Sequence, residues 1–116
     1  MGNDVDWVRA FNRLFEIIDS EGPAFYSGPR FISKVREVGA FLPSYDLYIA
    51  QRRQRRKSTM RRDYFYDILL ELDEPLRVRL FHLILDDVET HSPERVRELR
   101  ALLGGAIPRP VNLAPR

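Results

Sequence analysis

Apolar residues in this chain recur at spacings of three and four through six successive stretches, each opened by a capping residue or an early proline. A period near 3.6 draws a stripe along a helix, whereas a half-buried strand needs strict alternation. Val8, Phe11, Leu14, Phe15 and Ile18 mark the first stretch, 4–20, with Trp7 at its start and Asn3 or Asp4 as its cap. Ser27 and Pro29 open a second, carrying Phe31, Ile32, Val35 and Val38 and closed by Gly39. Ser44 caps a third that begins with Tyr45, Leu47, Tyr48 and Ile49 and ends cationic. Ser58 or Thr59 opens a fourth with Tyr64, Phe65, Ile68, Leu69 and Leu72. Asp73 caps a fifth, with Pro75 in its first turn and an end near Thr90. Ser92-Pro93-Glu94 starts a sixth, holding Val96, Leu99, Leu102 and Leu103 and ended by Gly104. Side-chain oxygens at N-caps and proline in the first turn both satisfy the orphan end of a helix. No strand-length alternation and no Asn-Gly hairpin signal competes with this pattern. The expected fold is all-α, a compact bundle of about six helices.

The chain is 116 residues long, which is one domain. Residues 1–103 form the helical domain, and 104–116, with three prolines and two glycines, read as a linker or disordered tail. Such a tail suggests that a further segment once followed it. There is no cysteine, so disulfides, thiolate nucleophiles and cysteine-held metals are excluded. Asp4 and Asp6 precede any apolar run, unlike a signal peptide, and no stretch reaches the ~18 apolar residues of a spanning helix. These features point to a cytoplasmic chain with no membrane contact.

Net charge is only +2, yet its distribution is uneven. Residues 63–90 hold eight acids against two bases, whereas 51–62 hold seven bases and no acid. The bases are Arg52, Arg53, Arg55, Arg56, Lys57, Arg61 and Arg62. They form the sharpest local feature and the candidate site. A run of this kind clamps phosphates, pairs with an acidic protein partner or simply solvates a surface. Tyr45, Tyr48, Tyr64 and Tyr66 flank it as candidate aromatic contacts, able to stack on bases or fill a protein interface. Tyr64, Phe65 and Tyr66 are consecutive, and three neighbours span ~200° of a helix, so at least one ring should be exposed or at a contact. Reversing the charge of Arg52, Arg53, Arg55 and Arg56 should then abolish partner binding and leave helicity intact.

No glycine-rich phosphate loop, metal-ligand cluster or nucleophile–base–orienter set is present, so no catalytic residue, metal or cofactor is assigned. His82 lies five residues after Arg77, matching the loose Arg-x4–6-His pattern of HEPN ribonucleases. Five residues turn a helix by about 500°, so the two side chains should diverge by ~140°. Val78 also stands where that family usually has a polar residue. A histidine on the rim of a helix face is the stronger reading. The carboxylate pairs Asp73/Glu74 and Asp86/Asp87 read as helix-end and solvated acids.

Three stretches carry a resemblance: F-L-P-S-Y-D-L-Y-I (41–49), K-S-T-M-R-R-D-Y-F-Y-D-I-L-L-E-L (57–72) and R-E-L-R-A-L-L-G-G (97–105). Together the chain resembles an N-terminal domain of bacterial abortive-infection (AbiJ-type) phage-defence proteins. The resemblance implies a small helical adaptor, joined by a linker to a separate effector or HEPN-like C-terminal domain. It brings no catalytic residue onto this sequence. The combined expectation is a non-catalytic interaction module whose partner is a protein or the fused effector. Nucleic-acid binding through 52–62 is the alternative, and an RNase built on Arg77 and His82 a minor one.

Overall fold

A computed structural model describes residues 5–104. Among them are six α-helices: α1 (Trp7–Ile18), α2 (Gly28–Glu37), α3 (Tyr45–Gln54), α4 (Arg61–Glu71), α5 (Glu74–Val88) and α6 (Pro93–Leu103). No strand occurs among the described residues. The protein is an all-α bundle. The expected caps at Asn3 and Asp4, and the tail from 105 onward, lie outside the described residues.

Local chemistry sets the helix starts. Ser27, Ser44 and Asp73 each accept a hydrogen bond from the backbone N–H three residues on, as their sequence positions predict. In α1 the cap is Asp6, accepting from Arg9 N, so the helix starts later than expected. Its buried set is Ala10, Phe11, Leu14, Phe15, Ile17 and Ile18. Val8 falls at the edge of that stripe and is 56% exposed, a correction to its expected place in the core. The start of α4 also departs from expectation: neither Ser58 nor Thr59 caps it. Met60 occupies the N-cap without a side-chain bond, while Ser58 Oγ accepts from Met60 N and tightens the turn before it. At the other end of α2, Gly39 takes φ +98°, a conformation glycine adopts without a Cβ penalty.

Helix α1 packs against α5 and α6, α5 also against α2 and α6, and α2 against α3. Aromatic rings tie α4 into this frame. Phe65 stacks on Phe31 of α2 at 3.9 Å between centroids and meets Phe15 of α1 edge-on at 5.9 Å. Tyr64 lies 5.9 Å from Tyr48 of α3. Such pairs add directional preference to the area they bury. Gly28 makes the approach possible: a Cβ there would stand 2.1 Å from Tyr64 Oη and 2.4 Å from Tyr45 Cε1. The consequence is a fixed α3–α4 corner that carries the basic turn at residues 55–60.

Candidate functional site

The seven cations divide into two groups. Arg52 follows Tyr48 by four residues and Ile49 by three, on the stripe that α3 buries. It is only 6% exposed. Its Nε donates to the Ser58 carbonyl at 2.6 Å and its Nη1 to Asp67 Oδ2 at 2.9 Å. Burial alone would lower the Arg52 pKa, but hydrogen bonds to Asp67 and Tyr48 outweigh it and hold the guanidinium charged. Arg61 donates to the Tyr26 carbonyl at 3.1 Å, pairs with Asp19, and lies 4.6 Å from the Phe25 ring centre. Arg62 donates to Asn12 Oδ1 and sits over Phe15 at 5.4 Å. These three hold α4 against α1, α3 and the turn before α2. Arg52 and Arg61 pair their charge with Asp67 and Asp19, whereas Arg62, bonded to a neutral amide, stays exposed.

Arg53, Arg55, Arg56 and Lys57 are exposed, and none forms a salt bridge among the described residues. They share one turn at the C-terminus of α3. Arg56 N donates to Arg53 O at 3.0 Å and Lys57 N to Arg52 O at 2.8 Å, closing the helix in the manner of a Schellman motif. That closure normally falls to glycine. Here Arg56 takes it, with φ +59°. The backbone therefore fixes the spread of the four charges at a small steric cost.

The expected aromatic contacts are less available. Tyr48 and Tyr64 are buried, and burial, foremost, raises both phenols above their ordinary pKa. Their rings are corrected from contact surface to core. Tyr45 is half-buried against Tyr64, and half-buried Tyr66 lies 5.1 Å from Phe11. Of the consecutive trio, Tyr64 and Phe65 point inward, and Tyr66 alone reaches the rim.

Arg77 and His82 have separate surroundings. The Arg77 guanidinium donates to the carbonyls of Leu69, Leu70 and Leu72, at 2.7, 3.2 and 2.7 Å, and lies over Trp7 at 4.8 Å. It closes the end of α4. His82 Nδ1 faces Arg100 Nη1 at 2.5 Å, and Arg100 also reaches Asp86 at 2.7 Å. Asp87 accepts from Tyr26 at 2.5 Å and pairs with Lys34 at 3.1 Å. It anchors α5 to α2 rather than sharing a cleft with Asp86. Among the described residues no group of three His, Cys, Asp or Glu could hold a metal, and no helix is long and apolar enough to cross a membrane.

A surface groove of about 430 Å³ lies between α1 and α6, lined by no residue of the basic turn. Arg9, Arg13 and Arg95 alternate there with Glu16 and Glu98, so its charges largely offset. Two smaller grooves meet at Leu42 and Glu71, and one of them reaches the basic turn. One, about 180 Å³, is bounded by Pro43, Gln51, Arg55, Lys57 and Glu71. The other, about 350 Å³, is lined by Phe41, Leu42, Leu72 and Leu76. Phe41 itself is 97% exposed. No role attaches to it from sequence, although its place between Gly39 and Pro43, outside any helical stripe, marks it as a loop aromatic.

No protein-family model matches this chain, and no curated protein or solved structure matches it.

Proposed function

We propose that this domain is a non-catalytic helical interaction module that binds an acidic protein partner through Arg53, Arg55, Arg56 and Lys57. The carrying observation is the division of labour in the basic run. Arg52 and Arg61 are ion-paired within the bundle and Arg62 is tied to Asn12, while four cations project from one backbone-fixed turn with no salt bridge among the described residues. Charge so displayed gives orientation and association rate to a complementary partner. Burial of Tyr48 and Tyr64 takes two of the four flanking rings away from any stacking platform for single-stranded nucleic acid, which favours protein over phosphate. The separate engagements of Arg77 and His82 support a non-catalytic reading. The resemblance to abortive-infection proteins supports reading it as a cytoplasmic module that is N-terminal to an effector in a bacterial anti-phage protein.

Fluorescence anisotropy tests this with labelled glutamate-rich peptide, random-sequence RNA and random-sequence DNA, each at low and near-physiological salt. The peptide should bind, and the joint reversal Arg53→Glu, Arg55→Glu, Arg56→Glu and Lys57→Glu should abolish binding with an unchanged circular dichroism spectrum. Tighter binding of RNA or DNA, falling with salt by a slope of about −0.7 per phosphate contacted on a single strand or about −0.9 on a duplex, would overturn the reading in favour of nucleic acid. Peptide binding that survives the reversal would remove the basic turn from the site.

A further inference from the structure

The basic turn does not stand alone on its face of the molecule. Positive-φ Gly39 ends α2 and sends residues 40–43 across the C-terminal half of α4, where the groove beneath them touches Ile68 and Leu72. Leu42 and Glu71 border both smaller grooves, so the two meet along one seam. One end is cationic, with Arg55 and Lys57. The other has no cation and is lined by the half-buried Leu72 and Leu76 together with Phe41 and Asp73. Other large hydrophobic side chains at the surface are 43–68% exposed, whereas Phe41 stands 97% clear of its own chain. An aromatic ring presented this fully beside a groove is the composition of an interface anchor.

Resting on the reading above, we propose that this seam binds a linear protein segment that carries acidic residues followed by a large apolar side chain. The acids meet Arg55 and Lys57, and the apolar side chain fills the trough between Phe41 and Leu76. Charge fixes the order. Asp73 lines only the end near Phe41, where no base is beside it, whereas Glu71 at the join stands next to Arg55 and Lys57, so a segment laid the other way would set its acids against Asp73. Recognition of this kind couples a desolvated anchor to a polar rim.

The test uses the 116-residue chain and two fluorescein-labelled peptides, one glutamate-rich and one identical but ending in Leu-Phe. The anchored peptide should bind wild type about tenfold more tightly than the plain one. Phe41→Ser should remove that increment while leaving the plain peptide's affinity unchanged. Because the ring is already in water, this substitution leaves the fold intact, as circular dichroism would verify. Reversal by Arg55→Glu with Lys57→Glu should remove binding of both peptides. Equal affinities for wild type, or an increment that survives Phe41→Ser, would overturn the trough and leave the cationic turn standing. Binding of both peptides that survives the reversal would sink the underlying reading as well. Sedimentation showing a wild-type dimer that Phe41→Ser converts to monomer would also overturn the proposal, by assigning the ring to a second copy of this chain.

Discussion

Arg52 and Asp67 stand 2.9 Å apart, joining α3 to α4 beneath a turn whose other cations face water. The pair is unequal, because the Arg52 side chain is 7% exposed and that of Asp67 is 41%. Asp67 can recover water if its partner is lost, whereas the Ser58 carbonyl, bonded to Arg52 Nε at 2.6 Å, loses its guanidinium donor. Arg52→Ala should therefore destabilise the domain by about 2–3 kcal/mol, the range for buried hydrogen bonds to a charged group. Arg53→Ala, one position on and exposed, should change stability by less than about 0.5 kcal/mol. Urea denaturation of the two variants checks this, and equal midpoints would show that Arg52 is not the link between the helices. The same reasoning changes the charge-reversal experiment: including Arg52→Glu would unfold the corner and mimic a loss of binding.

Arg56 gives an opposite sign. Its φ of +59° is a conformation that glycine adopts freely and a side chain resists. Arg56→Gly should raise unfolding stability by about 1 kcal/mol while removing one of the four displayed charges. A midpoint shift toward higher urea, together with weaker binding of the glutamate-rich peptide, is the expected pair of results. A lower midpoint would mean that the Arg56 side chain supports the turn.

Gly28 is a packing requirement. A Cβ at this position meets Tyr64 Oη at 2.1 Å and Tyr45 Cε1 at 2.4 Å, and Tyr64 is buried among aromatic neighbours that leave it little room to move. Gly28→Ala should cost about 1–3 kcal/mol through overpacking, despite alanine's better helix propensity. A thermal midpoint equal to or above wild type would show that the α2–α4 contact relaxes without loss.

Much of the fold was readable because caps and stripes are local. Ser44 and Asp73 each bond three residues along the chain, so their neighbours in sequence suffice to place them. The burial of Arg52 had a signal too, in its spacing from Tyr48 and Ile49, but a dense run of like charges masks the periodicity. The partners of Arg61 and Arg62 had none. Asp19 and Asn12 lie 42 and 50 residues away, and nothing local selects them from the other acids and amides. Arg56 was equally hidden, since its closure role falls to a residue type that disfavours it. The candidate site thus narrowed from seven cations to four through tertiary pairing, and gained Phe41 because a loop aromatic shows its exposure only once the loop has been folded.

His82 links the α5–α6 contact to pH. Arg100 can only donate, so His82 Nδ1 accepts and the ring proton sits on Nε2, which is buried without a hydrogen-bond partner among the described residues. Burial, and then the Arg100 charge, lowers the imidazole pKa from its ordinary 6.5, with Asp86 opposing. In the unfolded chain the ring titrates near its ordinary value, so below about pH 6.5 the unfolded state binds more protons than the folded one. His82 therefore leaves stability unaffected above that pH and subtracts from it as pH falls below. Urea midpoints taken from about pH 7.5 down to about pH 5 should decline, and the decline should be shallower in His82→Gln, which cannot acquire charge beside Arg100. Parallel slopes for wild type and His82→Gln would show that Arg100 withdraws toward Asp86 at no cost when the ring protonates.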